Sequence, residues 1–157
     1  MDLQRFLATS FAHRQAEVEI TQDALAQSLF DEGEPRVWVV RGLSAAEMGR
    51  VNEAAESNLD NVRAMVLAMA GDGDKAEAIR KAMGISTDDV PRDTSRRIEM
   101  LTHGSVSPKL GLENRDVAVR LAENFSTVFY GLTNHILNLT GQGAELGKPK
   151  RSGQTPA

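Results

Sequence analysis

The segment that most constrains this chain begins at Ser44-Ala45-Ala46-Glu47, a capping box. In such a box the serine hydroxyl and the glutamate carboxylate each satisfy a backbone N–H that the first helical turn leaves without a partner. The helix that it opens is predicted to run to Ala70, where Gly71-Asp72-Gly73 stops it. At 1.5 Å per residue that is roughly 40 Å of helix. Met48, Val51, Ala55, Val62, Met65, Val66 and Met69 fall on one stripe of it, interrupted by Asn58. Helical signals then continue towards the C-terminus. Asp74 to Met83 reads as a second helix closed by Gly84. Val90-Pro91 opens a third, with Ile98 and Leu101 facing inward and His103-Gly104 at its end. A loop containing Pro108 covers Ser105 to Gly111. A fourth helix spans about Asn114 to Asn124, and Ser126 caps a fifth that carries Phe129, Leu132, Ile136, Leu137 and Leu139 and ends at Gly141.

Before Ser44 the periodicity differs. Leu3, Phe6, Leu7 and Phe11 are spaced three and four apart, which predicts a short amphipathic helix over Asp2 to Ala12. Ala16-Glu17-Val18-Glu19-Ile20 alternates apolar and acidic residues, the period of a half-buried strand. Thr21 is placed to cap a short helix with Leu25 and Leu29 on one face, Asp31 to Pro35 is a turn, and Val37-Trp38-Val39-Val40 is the strongest strand in the chain. The expected fold is mainly α: a helical domain of about five to seven helices with a small N-terminal β-ribbon. Residues 1–43 would hold an N-terminal helix and the ribbon, 44–141 the helical domain, and 142–157, where periodic apolar residues stop, a disordered tail.

Composition narrows the class of function. With 157 residues the chain suits one domain and can bury roughly two-thirds of its unfolded surface. It has no cysteine, which excludes disulfides, thiolate metal sites and a thiol nucleophile, and makes the reducing cytosol its natural home. The first residues, MDLQRFLATSF, lack the pattern of a signal peptide, and no apolar run approaches the ~20 residues needed to span a bilayer. A net charge of −4 argues against nucleic acid as the main partner.

Patterns that resemble catalytic or ligand motifs have simpler readings. Gly141-Gln142-Gly143-Ala144-Glu145-Leu146-Gly147-Lys148 resembles a phosphate-binding loop, but the spacing is wrong and Pro149 stands where a hydroxyl would hold magnesium. It also follows a helix where a strand is required, so it reads as a helix end. His13, His103 and His135 lack the i, i+4 pairing of a helical metal site, and capping or surface roles are expected. Asp72-Gly73-Asp74 has no further calcium ligands and reads as a turn, and no Gly-x-Ser-x-Gly elbow occurs. No catalytic, cofactor or metal site is expected. The methionine-bearing stripe is the feature of interest. Methionine suits surfaces that accept irregular partners, and the plainer alternative is that Met48, Met65 and Met69 are ordinary core.

The second half also carries a family likeness. Arg96-Arg97-Ile98-Glu99-Met100-Leu101, Gly104-Ser105-Val106, Pro108 and Val117-Ala118-Val119-Arg120-Leu121-Ala122-Glu123 occur in that order. Phe129-Tyr130-Gly131-Leu132-Thr133-Asn134, Ile136, Leu139-Thr140-Gly141-Gln142-Gly143 and Gly147-Lys148 follow, and Trp38-Val39-Val40-Arg41-Gly42-Leu43-Ser44 precedes them. Together, over about residues 37 to 148, they resemble the tail assembly chaperones of long-tailed bacteriophages and prophages. The resemblance implies a non-enzymatic, mainly helical protein of the host cell cytoplasm, not expected in the mature virion. It would bind the tape measure protein, keep it soluble and help recruit tail tube subunits. Self-association is compatible with that role. Many members are made in two lengths by ribosomal frameshifting, and this chain would be the shorter product, with the slip near Gly147-Lys148. The family supplies no catalytic residues, so Met48, Val51, Val62, Met65, Met69, Phe129 and Leu132 stand as partner-binding candidates. A structural tail or head-completion protein of the virion is one alternative, and a prophage-encoded regulatory binding protein is the other.

Overall fold

In a computed structural model, residues 1–69 and 92–147 are described, those from 58 to 69 by their backbone alone. The elements in chain order are α1 (Leu3–Ala8), β1 (Phe11–His13), β2 (Gln15–Glu19), α2 (Asp23–Leu29), β3 (Val37–Arg41), α3 (Ala45–Met69), α4 (Arg92–Gly104), β4 (Ser105–Ser107), a 3₁₀ turn (Leu112–Asn114), α5 (Arg115–Asn124), α6 (Ser126–Gly141) and β5 (Ala144–Leu146). The mainly α expectation therefore holds, with six α-helices among the described residues. The helix read over Asp74 to Met83, and the entry to α4 at Val90-Pro91, lie outside the described residues.

The sheet is more extensive than a ribbon. β2, β3 and β4 form three antiparallel strands in that order, with Val18 opposite Trp38 and Val40 opposite Ser105. Alternation along β3 turns Trp38 and Val40 into the core and leaves Val37, Val39 and Arg41 half-buried on the other face. The expected loop at Ser105 to Gly111 thus begins as a strand. Its polar side chains are used: the Trp38 indole N–H donates to Ser105 Oγ at 2.8 Å, and that hydroxyl donates to the Pro108 carbonyl. The peptide bond from Ser107 to Pro108 is cis.

The helices cover the inner face of this sheet. Ile20, Leu25, Trp38 and Val40 from the N-terminal segment share one hydrophobic cluster with Val51, Ile98, Leu101, Leu121, Phe129, Leu132 and Ile136. The expected division at residue 43 is therefore not a division of the core. Two close approaches hold sheet and helices together. At Gly42 a Cβ would lie 3.0 Å from backbone atoms of Leu139 and Thr140, and next to it the Leu43 N–H donates to Thr140 Oγ1 at 2.9 Å. At Gly104 a Cβ would lie 2.7 Å from Ile136 Cδ1, so α4 reaches α6 only without a side chain there.

The capping box forms as the sequence predicts. Ser44 N–H donates to Glu47 Oε2 at 2.8 Å, and Glu47 N–H donates to Ser44 Oγ at 3.2 Å. Arg41 adds two hydrogen bonds to the same carboxylate, at 2.7 and 3.0 Å, joining β3 to the first turn of α3. Those bonds from Arg41 are the main reason that the Glu47 carboxyl is held at about 2, against an ordinary value of 4.5. Two other expected caps do not form. Thr21 lies outside α2, which starts after Gln22 with no side-chain cap, and Ser126 is the first residue of α6.

Candidate protein-interaction surface

Three of the partner-binding candidates are core residues. Val51, Phe129 and Leu132 are fully buried, and Met48 is half-buried against the same cluster. The stripe of α3 that holds Met48 and Val51 packs towards α4, which is where an amphipathic helix with a covered face must place it. Val62, Met65 and Met69 lie on the part of α3 whose side chains are outside the described residues.

Leu29, Leu112, Tyr130 and Leu137 are exposed singly, and the longest run of exposed large apolar residues lies at the N-terminus. Helix α1 is six residues long, with Asp2 Oδ1 accepting from Arg5 N–H at 2.9 Å as its cap. None of its residues is buried, and the predicted helix stops at Ala8. Phe11 and Ala12, which the periodicity assigned to the helix, form β1. The reason is a partner far along the chain: β5 pairs antiparallel with β1, placing Leu146 opposite Phe11 and Ala144 opposite His13. Gly147 N–H donates to the Ser10 carbonyl at 2.8 Å, and Arg14 meets Glu145 at 3.5 Å. Residues 142–147 are thus not the start of a structureless tail, and the remainder of that segment lies outside the described residues.

The result is an arm of helix and ribbon with its apolar side uncovered. Phe6 is 61% exposed, Leu7 75%, Phe11 47% and Leu146 75%, and Leu3 is exposed beside them. The Phe6 and Phe11 rings are 5.5 Å apart between centroids, so the helix folds back on the ribbon through that one aromatic contact. Phe11 and Leu146, directly opposite in the ladder, share a face. Isolated helices shorter than about 12–15 residues are marginal in water, so α1 gains little by itself from being a helix. An apolar cluster on such a helix is a surface that another chain can cover.

Sequence reading grouped Leu3, Phe6, Leu7 and Phe11 on one short amphipathic helix and placed the interaction candidates elsewhere. Spacing of three and four shows that Leu3, Phe6, Leu7 and Phe11 group together, and says nothing of whether the protein itself covers them. Leu146 carries no local signal, because only its pairing with Phe11 brings it there.

The remaining cavities are shallow. One of about 520 Å³ is lined by Arg41, Glu47, His103 and Lys109, and in it Arg41 and Glu47 satisfy each other. Another, of about 410 Å³, is an apolar groove between α2 and α5 lined by Leu25, Leu29, Val117, Leu121 and Phe125. The glycine-rich segment after α6 closes the helix: Gln142 N–H donates to the Leu139 carbonyl and Gly143 N–H to that of Thr140, with Gly143 at φ 71°. Those amides are spent on the helix end and form no phosphate cradle. His13 lies in β1, not at a helix end, and His103 faces Glu99 at 3.9 Å. Among the described residues there is no group of three or more His, Asp or Glu side chains placed to hold a metal ion, and no helix is long and apolar enough to cross a membrane. No family model, curated protein or solved structure matches this chain.

Proposed function

We propose that this protein is a non-enzymatic binding protein of the tail assembly chaperone kind. It acts in the host cytoplasm by holding a tape measure protein soluble and helping to recruit tail tube subunits to it. The observation that carries this reading is the uncovered apolar arm formed by Leu3, Phe6, Leu7, Phe11 and Leu146. Such a cluster costs free energy in water and recovers it when an apolar stripe of another chain covers it. A long amphipathic helix without its final neighbours has the matching need, and binding shifts it from aggregation towards the soluble complex. The order of short motifs from Trp38 to Lys148 supports the assignment to this family of chaperones.

The test is co-expression with the long, helical, tape-measure-like protein encoded nearby, followed by affinity pull-down and gel filtration. A soluble complex is expected where that protein alone is insoluble, and the double variant Phe6→Ser, Leu7→Ser should lose it while keeping its helical spectrum. No association, with the chain instead present at fixed stoichiometry in purified particles, would replace this reading with that of a structural virion protein.

A further inference from the structure

Residues 10 to 20 behave as one extended strand whose partner changes halfway. Ser10 accepts from Gly147 of the β5 side, Arg14 accepts from Gly42 at the end of β3, and Ile20 N–H donates to the Arg36 carbonyl. These are all even-numbered positions, so β5 and β3 occupy the same edge of the strand in succession. Burial follows the same alternation: Arg14, Ala16 and Val18 are half-buried and Ile20 is buried, whereas His13, Gln15, Glu17 and Glu19 are exposed. In an extended strand alternate residues direct their N–H and C=O groups to opposite edges. The backbone groups of Phe11, His13, Gln15, Glu17 and Glu19 therefore point to an edge that no strand occupies among the described residues.

This edge differs from the others in the molecule. The outer edge of β4 is three residues long and runs into Pro108, and β5 is equally short. Natural sheets blunt their edges with such short strands and prolines. The edge of residues 11–19 has no proline, and although β1 is as short, the chain continues through Arg14 into the five residues of β2. It carries two carboxylates, Glu17 and Glu19, which have no ion-pair partner among the described residues, and at its other end the exposed Phe11 ring.

We propose that this edge accepts an extended, basic segment of a partner protein as an added antiparallel strand. Antiparallel pairing is the arrangement of every ladder among the described residues. It sets a register. Peptide residues one and three lie opposite Glu19 and Glu17 and are lysine or arginine. Residue nine lies opposite Phe11 and is apolar. Directly opposed unlike charges favour this pairing, and two copies of the chain joined about Glu17 and Glu19 would oppose like charges. The occupant is an extended segment, so this inference does not depend on the chaperone reading, whose occupant is an apolar helix.

The probe is a labelled nine-residue peptide with lysine at positions one and three, leucine at nine, and threonine or valine elsewhere, titrated with the full chain by fluorescence anisotropy. Saturable binding is expected. The double variant Glu17→Lys, Glu19→Lys should weaken it about tenfold or more, and both positions are exposed, so folding is checked by an unchanged helical spectrum. N-methylation of the peptide at positions three and five, whose amides face the edge, should abolish binding, while N-methylation at four and six should leave it intact. Absence of binding, or equal tolerance of the two methylation patterns, overturns the proposal. So does a dimer of the chain alone that excludes the peptide. Tape measure solubility plays no part in these readouts, so either proposal can fail without the other.

Discussion

The packed body and the N-terminal arm use the same kinds of residue to opposite ends. In the body, Trp38, Phe129, Leu132 and Ile136 are fully buried, and even the indole N–H has its partner in Ser105. In the arm, Leu3, Phe6, Leu7 and Phe11 show equally regular spacing and remain in water. What separates them is the number of independent elements that converge. Strands, α4 and α6 close round Trp38 and Phe129, whereas the arm has a six-residue helix, a three-residue strand and one aromatic contact. Periodicity reports which residues group together, and tertiary convergence decides whether the group becomes core or surface.

The comparison breaks most readily at its largest difference. Trp38→Ala and Phe129→Ala should each cost about 3–5 kcal/mol in denaturant unfolding. Equal losses from Phe6→Ala or Leu7→Ala would abolish the distinction, since exposed positions are expected to stay within about 0.5 kcal/mol.

Acid should act next, and on the body. Glu47, held at about 2 in the folded chain against an ordinary value of 4.5, stays ionised while the unfolded chain takes up its proton. Its contribution is fully present above the unfolded value and is lost as pH falls from about 4.5 to about 2. Since one pKa unit corresponds to about 1.4 kcal/mol, the loss should be about 3–4 kcal/mol. Urea melts of Glu47→Gln across that window should lack this part of the acid dependence; an unchanged slope would remove the Arg41 pairing as its source.

A smaller effect tests the seam between sheet and helices. Gly42→Ala should cost about 1–2 kcal/mol, because the added methyl meets backbone that has no rotamer with which to yield. A neutral result would mean that α6 shifts freely at its C-terminal turn. The finest distinction is local opening. Amides of α1 and β1 should exchange with deuterium well before those of β3 and α6, as expected where few apolar contacts are buried. Protection of α1 equal to that of α6 would place the arm within the body.

Much of the body was legible in the sequence. The Ser44–Glu47 box, the alternation through Val18 and Trp38, the inward Ile98 and Leu101 and the helix end at Gly141 are local signals, and each is found where it was read. What escaped was defined by distant partners. Ser105–Ser107 and Ala144–Leu146 have no strand signal of their own and are strands because β3 and β1 lie alongside them. The interaction candidates Val51, Phe129 and Leu132 failed as a surface for the reason that made them conspicuous: a regular apolar stripe is what a core needs. The uncovered arm carried the same signal, and sequence offers no way to count the elements that would cover it.

The pairing of β1 with β5 has a consequence for timing. It joins residues near the two ends of the described chain, so it is the costliest loop to close and has no reward until both strands exist. On the ribosome, β1 emerges early and waits for Leu146 while nearly all of the body is made. Leu146 completes the apolar side of the arm only then. A nascent chain therefore carries at most part of this surface until Leu146 has been made, after every element of the body that precedes it.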